Sequence, residues 1–262
     1  MEIVGNGFLA THLRAAFGAR YPRVIAVAAG VTKTTTTDPA DFDREAELVY
    51  SLLRRCRAEH RQLLFFSTAS FAMYGSTEPA VEWGPVYPPV AYGRHKLALE
   101  ACVRASGADY LILRLSHVVG QHRQPHQMLP AIVEQVLNGS VTIYRGAQRD
   151  LLDADDFCYA IDRMLGAGVT DMVVNVASGV SQPIERIVDG VERRLGSTAE
   201  RLYVPGHGWR AQPCIDRLLA LVPQFRRERI HAGYLDQILD AYLPHVVALT
   251  HKAALSTVAA LR

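Results

Sequence analysis

Tyr92 and Lys96 lie four residues apart in the stretch Ala91 to Glu100, which the apolar pattern predicts to be a helix. That spacing stacks the two side chains on one helix face. A tyrosine hydroxyl titrates near pH ~10 and is a poor base at neutrality. A lysine ammonium one turn away favours the ionised phenol, which makes Tyr92 a candidate proton shuttle. The plain alternative is an exposed aromatic beside a solvated charge. A second candidate site opens the chain, where Gly5-Asn6-Gly7-Phe8-Leu9-Ala10 follows the strand-like Glu2-Ile3-Val4 and starts a helix. In that context Gly5 permits a tight turn, Gly7 lets backbone approach a pyrophosphate, and the helix N-terminus attracts an anion. Such a turn also occurs with no ligand.

The elements that must position these groups alternate. After the first strand come a helix from about Leu9 to Ala19, Val24-Ile25-Ala26-Val27, a helix from about Asp41 to Ala58, and Leu63-Leu64-Phe65-Phe66. Asp38-Pro39 supplies a cap and a first-turn proline for the second helix. Further along, helices are expected at about Val90 to Ala105, Met128 to Leu137, Asp155 to Leu165 and Ile184 to Leu195. Strands are expected at Tyr110 to Arg114, Val141 to Tyr144 and Met172 to Val176. Strand and helix alternating in this way give an α/β fold with a parallel sheet flanked by helices.

Composition is that of an ordinary globular chain of 262 residues, 49% apolar and 21% charged, with a formal charge of +2. The balance is too even, and the arginines too scattered, for a nucleic-acid surface. Cys56, Cys102, Cys158 and Cys214 show no metal or disulfide spacing, which fits a reducing cytoplasm. No secretion signal or membrane span is expected, and the apolar stretch from His245 to Leu261 reads as a surface or dimer-facing helix. Thr34 to Thr37 read as an ordered loop.

The segments Phe65 to Gly75 and Pro88 to Glu100, with Ser70, Tyr74-Gly75 and Tyr92-Gly93-Arg94-His95-Lys96, resemble the extended short-chain dehydrogenase/reductases, the NAD-dependent epimerase/dehydratase family that acts on nucleotide sugars. Arg114 to Gly120, and Gly146 to Asp150 followed by Asp155-Asp156, add to the resemblance, which fades beyond about Gly196. It implies a Rossmann-like domain over residues 1–145, with strand 171–177 returning to it, and a small C-terminal substrate domain over 146–262. It implies Ser70, Tyr92 and Lys96 as catalytic residues. Ser70 is four residues before Tyr74, as in the family, and Thr68 is the reserve hydroxyl. NAD or NADP, undecided between them, would meet Gly5, Asn6, Gly7, Phe8, Leu9, Ala28, Ala29, Tyr92 and Lys96. The substrate side would hold Thr68, His117, His126 and Arg149. A homodimer through the helix carrying Tyr92 is the family's usual assembly.

Two departures shape the expectation. The strand at Val24 to Val27 is similar to the family's fourth yet follows the first helix directly, so one or two strand–helix units of the adenosine half are expected to be missing. Phe71 and Ala72 stand where the family's dehydratases carry an Asp-Glu pair, which disfavours dehydration. A reductase or epimerase on a keto or hydroxyl carbon remains, with a non-catalytic dinucleotide or metabolite binder, or a scaffold, as the alternative. Arg14, Arg20 and Arg23 could meet a 2′-phosphate, but read better as surface arginines. His117, His122 and His126 have no standard ligand spacing, so no metal is expected. Arg149 could grip a diphosphate or pair with Asp150 or Asp153. Asp155 reads as a helix cap, Asp153 and Asp156 as solvated or pairing carboxylates, and Trp209 as a core residue.

Overall fold

The structure is a computed structural model that describes residues 1–75, 79–121, 127–205 and 212–260, with side chains to residue 248. The first strand β1 (Glu2–Val4) leads into α1 (Phe8–Phe17), then β2 (Val24–Val27), α2 (Pro39–Glu59), β3 (Gln62–Thr68), the single-turn α3 (Phe71–Tyr74), α4 (Ala91–Ala105) and β4 (Tyr110–Leu115). There follow β5 (His117–Val119), α5 (Met128–Leu137), β6 (Ser140–Tyr144), β7 (Gln148–Asp153), α6 (Ala154–Gly166) and β8 (Met172–Val176). The chain ends with β9 (Ser181–Pro183), α7 (Ile184–Leu195), β10 (Glu200–Val204), α8 (Asp216–Leu221), α9 (Phe225–Arg229) and α10 (Tyr234–Ala260).

Strands β1-β2-β3-β4-β8 form one sheet in that order, every pair parallel. Period-two alternation sends Val24, Ala26, Leu64 and Phe66 to one face, with Leu13 and Phe17 of α1 and Phe157 and Ile161 of α6. Ile25, Val27, Leu63 and Phe65 go to the other face, with Val49 and Leu53 of α2 and Leu99 and Val103 of α4. The sheet therefore grows in one direction from β1 to β4 while α1 lies on one face and α2 and α4 on the opposite one. The α1 crossover must then have the opposite hand to the next two, in a class of connection that is almost always right-handed.

A second apolar core joins α5, β6, α7 and the first half of α10, through Ile132, Val133, Ile143, Ile187, Val188, Ile238 and Leu239. Beside it lie two small sheets, β5-β7-β9 and the parallel pair β6-β10. The helix expected near the end thus starts earlier, at Tyr234, and its first turns are core. Among the described residues no helix is long and apolar enough to cross a membrane.

Local rules account for the helix ends. Asp38 accepts from Ala40 N at 3.0 Å with Pro39 next in the chain, and His60 closes α2 in the left-handed region. At α6 the cap is Asp153, which accepts from Asp155 N at 2.7 Å, so Asp155 is the donor and not the cap. Asp153 and Asp156 are buried rather than solvated; Asp156 meets Arg229 and Tyr234, and Asp153 accepts from Tyr242.

Candidate active site

The carboxyl ends of parallel strands are where such sheets present ligand sites. Here the segments leaving β2, β3 and β4 carry Thr34 to Thr37, Ser70, and Ser116 with His117. These residues line one cleft of about 550 Å³ together with Ala91 and Arg94 of α4 and Gln148, Arg149 and Asp150 of β7. The threonine run is thus a wall of the cleft, a role that its composition did not announce.

Ser70 caps α3, its Oγ accepting from Ala72 N at 3.2 Å, and lies 2.8 Å from Thr68 Oγ1. The two candidate hydroxyls of the sequence form one hydrogen-bonded pair. Gly93 allows α3 to lie directly on α4: a Cβ there would sit 1.6 Å from the Ala72 carbonyl oxygen. The glycine after Tyr92 therefore sets how closely the Ser70 turn approaches the Tyr92 helix.

Tyr92 and Lys96 are buried, at 8% and 5% exposure, and neither lines the cleft. The Lys96 ammonium lies 5.7 Å from the Tyr92 ring centroid and 5.4 Å from that of Phe65. Its partners are Glu45 Oε1 at 2.5 Å and the Phe66 carbonyl at 3.5 Å. Glu45, 2% exposed on α2, also accepts from Val31 N at 3.1 Å and meets His95 Nε2 at 3.0 Å. The expected lowering of the Tyr92 hydroxyl does not hold as a net effect. Burial pushes it above the ordinary tyrosine value, Lys96 pulls it down, and Glu45 pushes it up again.

Glu45 and His95 are the residues that sequence reasoning missed. A signal for Glu45 was present: it stands on the buried stripe Glu45, Val49, Leu52, Leu53, Cys56, where an amphipathic helix should be apolar. A charge on such a stripe needs a buried partner.

At the glycine turn, Gly5 has φ +123° and a Cβ there would sit 2.2 Å from the Ala28 carbonyl oxygen, so Gly5 serves the packing of β1 on the segment after β2. Gly7 has nothing within 4 Å of an added Cβ, and it starts α1 with no side-chain cap. Backbone there can be approached by an anion. Ala28 N bonds the Val4 carbonyl, so the neighbouring carbonyls of Ile3 and Gly5 point to the open edge of β1. Arg14 Nη2 takes both, at 3.4 and 2.5 Å, and Asn6 Oδ1 at 3.2 Å. Arg20 pairs with Asp162, and Arg23 bonds the His60 carbonyl.

On the β7 side, burial, with the Arg149 charge next, pulls His117 down to about 3 and holds the imidazole neutral. Burial also lowers Arg149, whose Nη1 donates to the Gln148 carbonyl at 2.8 Å. Asp150 accepts from Ser178 N, Ser178 Oγ and Val180 N at 2.9 to 3.1 Å. His122, His126 and Trp209 lie outside the described residues.

Residues 7–177 match the model of the NAD dependent epimerase/dehydratase family, well over half of the chain. The chain belongs to that family. Among its relatives, a Methanocaldococcus jannaschii protein provisionally named UDP-glucose 4-epimerase is 23% identical over 195 residues, 69% of this chain. The chain spans 63% of that curated relative's length. Among solved structures, dTDP-glucose 4,6-dehydratase of Bacillus anthracis in complex with NAD has a TM-score of 0.71 at 22% identity, covering 85% of this chain and 73% of that one. RMD of Pseudomonas aeruginosa complexed with NADPH has a TM-score of 0.72 at 19% identity, covering 93% and 98%.

Proposed function

We propose that the chain is an NAD(P)-dependent reductase or epimerase acting on a keto or hydroxyl carbon of a nucleotide-linked or related sugar, with Tyr92 exchanging the proton. The observation that carries this reading is the packing of the Ser70 turn against the Tyr92 helix through Gly93, beside a cleft walled by hydroxyls and by Arg94 and Arg149. Family membership, and neighbours seen with NAD or NADPH, support a nicotinamide cofactor.

The residues present fit such a group. The uncapped start of α1 at Gly7 suits a pyrophosphate. Lys96 has three N–H donors, of which Glu45 and the Phe66 carbonyl take two, leaving one for a ribose hydroxyl. A bound nicotinamide would supply hydride transfer, while Ser70 or Thr68 would hold the reacting oxygen. His117, kept neutral, and Arg149 would face the substrate. The edge position of β1 and the reversed hand of the α1 crossover support a sheet shortened by the strand–helix units that would otherwise lie between α1 and β2. Cofactor adenosine would then be held by fewer contacts.

Titrating NADH and NADPH into the pure protein, with nicotinamide fluorescence as readout, tests the reading. One of the two should bind, and Lys96→Ala should weaken it tenfold or more, about 1.4 kcal/mol. Tyr92→Phe should bind comparably and be inert with every keto-sugar substrate the parent accepts. Binding of neither cofactor would sink the proposal and favour a non-catalytic scaffold.

A further inference from the structure

Glu45 is tied to three places at once. From α2 its carboxylate reaches the Lys96 ammonium and the His95 ring of α4 and the Val31 amide of the loop leaving β2, all within 2.5 to 3.1 Å. Gly30 leaves room for it, since a Cβ there would lie 2.3 Å from Glu45 Oε1. An ionised carboxylate only accepts, so the His95 Nε2 in this contact carries a proton. His95 packs on Phe42, ring centroids 4.6 Å apart. The charged groups that bear on Tyr92 among the described residues are two, Lys96 from its own helix and Glu45 from α2. They have opposite sign and are in contact with each other.

We infer that Glu45 is a positioning residue that fixes the Lys96 ammonium and offsets its charge, so that Tyr92 works as a proton donor and the site runs toward ketone reduction. This rests on the reductase or epimerase reading above and decides between its two halves. A lysine with no counter-charge stabilises a tyrosinate, which can take a proton from an alcohol; a lysine already paired does so far less. In the reducing direction the balance is simple. A bound reduced nicotinamide would supply hydride for the new C–H bond, with the carbonyl π pair moving to oxygen. The Tyr92 O–H proton goes to that oxygen, and the tyrosinate left behind regains a proton from solvent. A 4-epimerase must begin the other way, with Tyr92 accepting a proton from a hydroxyl, and a buried phenol beside a neutralised lysine is poorly suited to that.

The test uses the full chain and three variants. Carbon-labelled tyrosine, with the Tyr92 signal assigned by its loss in Tyr92→Phe, reports the ionisation of Tyr92 by NMR across pH. Glu45→Gln keeps a partner for Lys96 and removes the charge, and Tyr92 should ionise at lower pH than in the parent, including the case in which the parent unfolds in alkali first. Glu45→Asp retains the charge and should stay on the parent's side. The chain has three lysines, Lys33, Lys96 and Lys252, so lysine-selective NMR shows directly whether the Lys96 ammonium keeps its protected environment in each variant. A Tyr92 signal that titrates no earlier in Glu45→Gln, with the fold intact, overturns the inference. Nicotinamide binding by the parent is read separately by fluorescence, so failure of the cofactor reading and failure of the Glu45 assignment are distinct results.

Discussion

Along the carboxyl edge of the sheet, the end that holds Tyr92 and Lys96 and the end that holds the glycine turn are built in opposite ways. At the first, buried charges pair across elements: Lys96 with Glu45, and Arg114 with Glu100 through bonds of 2.7 to 3.3 Å. Arg114 also donates to Tyr74 Oη at 2.9 Å, and Tyr74 to Asn175 Oδ1 at 2.7 Å, which links α4, β4, α3 and β8 in one network. At the second, β1 is a three-residue edge strand, and its outward carbonyls are met by an arginine side chain. A short strand with its edge covered avoids pairing with other chains. The difference teaches where precision is maintained. On the function proposed above, proton chemistry would need fixed groups in a low-dielectric setting, whereas an anion would need little more than open backbone at a helix start.

The comparison can be broken most forcefully at the paired end. Glu100→Ala leaves the Arg114 guanidinium buried without its carboxylate and should cost about 3–5 kcal/mol, a fall of roughly 10 °C in Tm by calorimetry. Loss within the noise would show that the network is ornamental. At the glycine turn the contrast is between two residues. Gly5→Ala meets both a positive φ and the Ala28 carbonyl, and should cost at least about 2 kcal/mol. Gly7→Ala has free space and should cost at most about 1 kcal/mol, yet weaken nicotinamide binding because the methyl group occupies the approach to the backbone. If Gly7→Ala binds as the parent does, the turn is structural only.

Much of the central sheet was legible because its strands are continuous apolar runs and α2 and α6 carry side-chain caps: β2, β3, β4 and β8 fall where Val24 to Val27, Leu63 to Phe66, Tyr110 to Arg114 and Met172 to Val176 led. The strands β5, β7, β9 and β10 were not legible. Gln148 to Asp153 carries three charged residues, and its strand character comes from tertiary pairing on both sides, with β5 parallel and β9 antiparallel. Within the site, the meeting of Tyr92 and Lys96 on one helix was readable from spacing, as one turn of helix brings i and i+4 together. Glu45 acts across 51 positions of sequence separation, and no local pattern encodes that contact. The sign of the Tyr92 perturbation was misread for the same reason, since the lysine was visible and its counter-charge and burial were not.

The last effect concerns the β7 side of the cleft and appears only in acid. His117 is held down to about 3 in the fold, against 6.5 for an unperturbed imidazole, by burial first and then by Arg149. A group whose value is lowered on folding contributes stability that is complete above its unfolded value and is lost as pH falls toward its folded one. His117 should therefore destabilise the fold progressively from about pH 6.5 down to about 3, and contribute no pH dependence above neutrality. Because many carboxylates titrate in the same window, the quantity to measure is the difference between parent and His117→Gln in urea midpoint at each pH. That difference should move in favour of the variant as pH falls, and Arg149→Gln, by removing the neighbouring positive charge, should make the loss level off at a higher pH. A difference that is flat from pH 7 to 4 would mean that His117 opens to solvent when protonated, and the β7 side of the cleft would then be less rigid than the Tyr92 end.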